Sequence, residues 1–196
     1  MIGLLLAGEI AASQPVEAAE RAFASAAQTE GQWTAFRRFM APGALILVDG
    51  PVDAARFLAP LKDPRVALMW WPARTVTSCD GSLALSTGPW RSAKANGRFI
   101  TIWQRQPDGQ WKWIYDGGGA DDPGGSTAGD ITFATRGLKC RRLPAPPAAP
   151  GALAGGASPD GSLRWSVARD GTSYRMRVLA SVTGRWETVV DRIVGT

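Results

Sequence analysis

Residues 74–119, RTVTSCDGSLALSTGPWRSAKANGRFITIWQRQPDGQWKWIYDGGG, decide the fold. Three turn signals cut the stretch into strands. Asp80-Gly81 follows a β-rich run and opens Leu83 to Trp90, as a tight hairpin turn does. Asn96-Gly97 closes a longer connection. Pro107-Asp108-Gly109 puts proline where φ is held near about −65° and glycine where φ turns positive. A three-residue loop there pairs Gln106 with Gln110, and from that register Trp103 with Trp113 and Thr101 with Tyr115. The stretch reads as a four-strand antiparallel meander.

Side chains alternate between the faces of a strand, so this register sorts the stretch chemically. One face gathers Ser86, Gly88, Trp90, Phe99, Thr101, Trp103, Trp111, Trp113 and Tyr115. The other gathers Leu83, Leu85, Ile100, Ile102 and Ile114, with Gln104, Lys112 and Asp116 among them. Neither face is polar enough to be left to water. Both need cover.

The chain has 196 residues, 45% of them hydrophobic and 9 of them tryptophan, which suffices for one core with a substantial extension. It contains no histidine. That removes the commonest general base, the usual Ser and Cys triads and nearly all zinc sites. No cofactor or metal is expected. The two cysteines, Cys79 and Cys140, are too few for a metal site but enough for one disulfide. The formal charge of +5 is unevenly placed, because residues 136–196 carry 10 basic side chains against 4 acidic ones.

Before the meander, residues 1–14 read as the remnant of a secretory signal, a short apolar run followed by small residues. No run approaches the roughly 20 apolar residues of a membrane span. Pro15 suits a helix start, and Ala19, Ala22, Phe23, Ala26 and Ala27 mark one helical face. Gly31 breaks that helix, and Trp33, Phe36 and Met40 carry the stripe on to Ala41-Pro42. Ala44 to Val48 reads as a short buried strand. Asp49-Gly50-Pro51 reads as the cap of a second helix reaching Leu61.

After residue 119 the composition changes. Residues 120–161 are rich in Gly, Pro and Ala and read as a linker, with a short strand over Ile131 to Thr135. Residues 162–196 read as a three-stranded amphipathic meander. Leu163, Trp165, Val167, Tyr174, Met176 and Val178 alternate there with Arg164, Arg175 and Arg177. Such a unit is marginal alone. Its apolar side is expected to cover Leu83, Leu85, Ile100, Ile102 and Ile114, from the same chain or from a dimer mate. Its arginine face is sparse for nucleic acid and reads as solvated.

The order of elements, carried by AERAFASAAQTEGQWTAFRRFMAPGALIL, SCDGSLALSTGPW and GRFITIWQRQPDGQWKWIYDGG, resembles the nuclear transport factor 2-like superfamily, near its SnoaL-like group. The match spans about residues 15–117. The resemblance implies an α+β cone over residues 15–119, a curved sheet wrapped on helices with a pocket on its concave side. It also implies that Trp111, Trp113 and Tyr115 point inward, and that an Asp or His serves in the pocket of catalytic members.

The expected function is the binding of a small apolar or aromatic molecule in the cone of an exported, periplasmic, bacterial-type protein. Trp33, Phe36, Trp71, Trp90, Trp103, Trp113 and Tyr115 would line the site, with Arg105 at its mouth for an anionic group. An isomerase-, cyclase- or hydrolase-like enzyme using a pocket carboxylate is the alternative, with Asp49 as the candidate. A structural or partner-binding envelope protein with a filled cone is the third. A Cys79–Cys140 disulfide fits an oxidising compartment and would tether the linker to the sheet edge.

Overall fold

A computed structural model describes residues 14–120, 134–136, 143–182 and 184–195. The signal-like residues up to Ser13 lie outside that range, as does Cys140. The fold is α+β, with three helices among the described residues and mostly strands.

The chain begins with α1 (Val16–Thr29), α2 (Gln32–Phe39), β1 (Met40–Leu47), β2 (Pro51–Asp53) and α3 (Ala54–Leu58). The break between α1 and α2 falls at Gly31, whose φ of 114° suits glycine alone. A Cβ at Gly31 would meet the Asp63 carboxylate at 2.4 Å. That carboxylate caps α2 from a distance. It accepts from Trp33 N at 2.5 Å, from Thr34 N at 3.0 Å and from Thr34 Oγ1 at 2.6 Å. Pro51 lies in β2, not in a helix. The helix that follows is one turn long, and its cap is Asp53, whose side chain accepts from Arg56 N at 2.7 Å.

The meander follows as β3 (Met69–Trp70), β4 (Arg74–Thr77), β5 (Leu83–Arg91), β6 (Asn96–Arg105) and β7 (Trp111–Ala120). Beyond it come β8 (Ala134–Arg136), β9 (Ala152–Ala157), β10 (Leu163–Asp170), β11 (Ser173–Val182) and β12 (Arg185–Val194). One sheet runs β2-β1-β7-β6-β5-β4-β8, with β3 also on β5. The second runs β12-β11-β10-β9. It has four strands where the sequence reading has three, because ALAGGA at 152–157 pairs with β10. Its small, glycine-containing residues disguise a strand as a linker.

The turn at Pro107-Asp108-Gly109 forms as read, with Gln106 N on Gln110 O at 2.8 Å and Trp103 opposite Trp113. One row later the register shifts. Tyr115 lies opposite Ile102 and Asp116 opposite Thr101, so Ile114 is an extra residue in β7. Such a bulge turns every later side chain to the other face. Tyr115 therefore leaves the helix side, and Asp116 joins it. This corrects the expected placing of both residues.

The helices cover one face of the large sheet, forming a core with Phe23, Phe36, Trp70, Phe99, Trp103 and Trp113. The opposite face forms a second core in which Leu83, Leu85, Ile100 and Ile102 pack with Leu163, Trp165, Val167 and Met176. The cover for the aliphatic face is thus supplied by the same chain.

The two sheets are also clasped at their turns. The sequence S-x-D-G-S-L occurs at Ser78–Leu83 and again at Ser158–Leu163. Each aspartate accepts from the two serines of its own turn. Across the sheets, Asp80 N donates to Asp160 Oδ2 at 2.9 Å and Asp160 N to Asp80 Oδ2 at 3.1 Å. The exchange is reciprocal. Backbone and neighbouring hydroxyl donors hold both carboxyl groups below the usual range, against burial, which opposes the shift.

Candidate functional site

The buried stripe of α1 is Val16, Ala19, Glu20, Phe23, Ala26 and Ala27. Spacings of three and four residues put these side chains on one helical face. Ala22, which the sequence reading placed there, is exposed. Its replacement in the stripe is a carboxylate. Glu20 is fully buried, a position that demands partners for any charge. Two indoles supply them. Trp70 Nε1 donates to Oε1 at 2.8 Å, and Trp103 Nε1 donates to Oε2 at 2.8 Å. Loss of hydration outweighs these bonds and pushes the Glu20 pKa up to about 7.

Ser86 also faces Glu20 and pulls weakly the other way. Its Oγ is buried and has no hydrogen-bond partner among the described residues. It is a neighbour of the carboxylate, not a bonded partner.

The second carboxylate arrives through the β7 bulge. Asp116 stands opposite Thr101 and next to Ile46 of β1. Thr101 Oγ1 donates to its Oδ2 at 2.7 Å. Burial of the carboxyl group, with a smaller contribution from the Glu20 charge, pushes Asp116 up to about 8. As a residue Asp116 retains some solvent exposure, whereas Glu20 has none. The Asp116 carboxyl group is itself enclosed, and the exposure belongs to the residue as a whole. At neutral pH Asp116 holds a proton that an ordinary surface carboxylate has lost, and Glu20 is near its midpoint, which equips the two to donate or take up a proton. A further buried donor on this face, Trp113 Nε1, has no partner among the described residues.

The other predicted residues divide. Phe36, Trp103 and Trp113 are buried together on the helix side, and Trp33 packs half-buried against them. Their rings meet edge to face, with centroids at 5.3 Å for Trp33–Phe36 and 6.0 Å for Phe36–Trp113. Trp90 is half-buried opposite Gly97, where its ring lies so close that a Cβ would meet it at 2.7 Å. Trp71 is 37% exposed, and its neighbour Trp70 takes the inner place.

Arg105 is occupied at the strand end. Its Nε donates to Gly81 O at 2.9 Å, and its guanidinium lies 4.4 Å from the Trp111 ring centroid. Tyr115 lies in the inter-sheet core, 5.1 Å from the Trp165 ring, where burial raises the pKa of its phenol. Asp49 is exposed on the β1–β2 loop, and its carbonyl accepts from Tyr174 Oη at 2.9 Å. It has no place on the helix-covered face.

Sequence reasoning passed over Glu20 and Trp70, and placed Asp116 on the opposite, aliphatic face. Glu20 was legible in one respect, since it lies three residues before Phe23 and four after Val16. Trp70 and Asp116 depend on strand phase, which local sequence does not give.

Among the described residues, no cluster of three His, Cys, Asp or Glu side chains is placed to hold a metal ion. No helix there is long and apolar enough to cross a membrane. The chain matches no protein-family model and no curated protein.

Proposed function

We propose that this chain binds a small apolar or aromatic molecule beside Asp116 and moves a proton on it. In this reading the large sheet and its helices form a cone of the nuclear transport factor 2-like kind. Asp116, the member of the pair that retains exposure, is the acid or base that touches the ligand. Glu20, sealed behind it by two indoles, is a positioning residue whose charge state tunes Asp116. The observation that carries the reading is the Ile114 bulge, which turns an aspartate to the face on which a buried glutamate lies. A protonated carboxyl group beside apolar rings suits isomerisation, cyclisation or dehydration, all of which move a proton at carbon or oxygen.

The test uses aromatic ketone probes such as 1-tetralone, with NMR in heavy water to follow exchange of the protons next to the carbonyl. The native chain should accelerate exchange, and Asp116→Asn should lose about 10²-fold or more of that acceleration. Binding that quenches tryptophan emission without any exchange would reduce the reading to a binding protein. Absence of both would favour the filled envelope protein, for which the edge-to-face packing of Phe23, Phe36, Trp70 and Trp103 is the supporting observation.

Export and the Cys79–Cys140 bridge belong to the same proposal. Cys79 sits between β4 and β5, with its N–H on Ser162 Oγ at 2.8 Å, and no described cysteine is free. Closing a loop of about 60 residues contributes on the order of 4 kcal/mol through the denatured chain. Thiol titration of unfolded, unreduced protein should find no free thiol. Finding two would overturn both the bridge and the argument for export drawn from it.

A further inference from the structure

The outer face of the second sheet carries a cavity that the carboxylate pair does not use. Its volume is about 480 Å³, within the usual range for small-molecule sites. The floor is β9, β10 and β11, and the roof is the strap Pro146–Pro150. The strap is anchored at both ends. Trp186 Nε1 donates to Pro144 O at 3.0 Å, and Ala152 N donates to Ala149 O at 3.2 Å. Pro144, Pro146, Pro147 and Pro150 have no N–H to give to a sheet. The strap therefore stands off the strands instead of pairing with them. Gly155, opposite Ser166 on the floor, adds no side chain to fill the gap.

The two charged groups that line this cavity are both cationic. Arg164 stands opposite Leu179, and Ser166 opposite Arg177, so two guanidiniums and a hydroxyl line adjacent rows. Arg177 gives its Nε to Asp191 at 3.1 Å. Arg164 is half-buried, and among the described residues it has no hydrogen bond or ion pair. An arginine in a walled cavity that makes no ion pair is available to an anion. Around it, Pro146, Pro147 and Leu179 offer apolar wall.

We propose that this cavity binds a small amphiphilic anion, its single carboxylate or phosphate on Arg164 and Arg177 and its apolar body between the strap and Leu179. Calorimetric titration with decanoate, decyl phosphate and decanol tests it on the full chain. The two anions should bind and decanol should bind at least tenfold more weakly. The stronger of the two anions identifies the headgroup. Arg164→Ala should weaken the anions tenfold or more and leave decanol unchanged. Ser166→Leu, an outward substitution that fills the cavity without touching a core residue, should abolish binding of all three while the circular dichroism spectrum is retained. Asp116→Asn should leave the affinities as they are. Binding that survives Arg164→Ala and Ser166→Leu, binding lost in Asp116→Asn, or no binding of either anion would each overturn the proposal.

Discussion

The two meanders of this molecule are built alike and treat the corresponding aspartate in opposite ways. Each enters through an S-x-D-G-S-L turn, at Ser78–Leu83 and at Ser158–Leu163. Each then carries a bulge in the corresponding row. In the first, Leu85 pairs with Ile102 and Ile102 with Tyr115, before the shift to Trp103–Trp113. In the second, Trp165 pairs with Val178 and Val178 with Val190, before the shift to Leu179–Thr188. The residue after Tyr115 is Asp116, and the residue after Val190 is Asp191.

Asp116 faces Thr101 beneath the helices, and burial pushes it up to about 8. Asp191 faces Arg177 on the open side, where bonds from Arg175 and Arg177 hold it below the usual carboxylate range although burial opposes them. Backbone geometry alone therefore does not make an acid. What lies over the strand does.

The largest effect that sharpens this contrast is the pH dependence of stability. The folded pKa of Asp116 is above its unfolded value. Its contribution is thus fully present below about pH 4 and is lost as pH rises through about 8. Asp116→Asn, which keeps an acceptor for Thr101, should remove that loss. Urea unfolding should show the variant gaining on the order of 3 kcal/mol on the native chain between pH 5 and pH 9. Parallel curves for the two proteins would show that the Asp116 pKa is not raised in solution.

Much of the fold was legible in local sequence. Turn dipeptides placed the meander, Gly31 divided the first two helices, and two apolar surfaces without solvent called for each other. The site was not legible in the same way. Inserting Ile114 into β7 costs one residue and leaves no compositional trace, yet it exchanges the faces of Tyr115 and Asp116. Glu20 looks like a solvent-facing charge until Trp70 and Trp103 are brought to it by strands 50 and 83 residues away. Asp49 drew attention because a cap and a pocket acid share the same local signature.

A smaller effect concerns the clasp that holds the meanders together. Asp80→Ala and Asp160→Ala should each destabilise, and the double variant should fall short of their sum by about 1 kcal/mol, since each aspartate serves the other's backbone. Strict additivity in a denaturant double-mutant cycle would mean that the two turns are neighbours without being partners.

The smallest effect belongs to Asp191. Its lowered pKa lends stability above the ordinary carboxylate range and withdraws it as pH falls through the folded value. Its ion pairs are solvent-exposed, so Asp191→Asn should cost about 1 kcal/mol or less at pH 7, and less still in high salt. A cost matching that of a buried pair, unaltered by salt, would erase the distinction drawn between the two faces.

The contact between Glu20 and two of the 9 tryptophans also has an optical consequence. An indole whose N–H points at a carboxylate has a different excited state from one pointing at a carboxylic acid. Gain or loss of a single proton at Glu20 therefore perturbs two chromophores at once. The intrinsic emission of the folded chain should report that proton without any label.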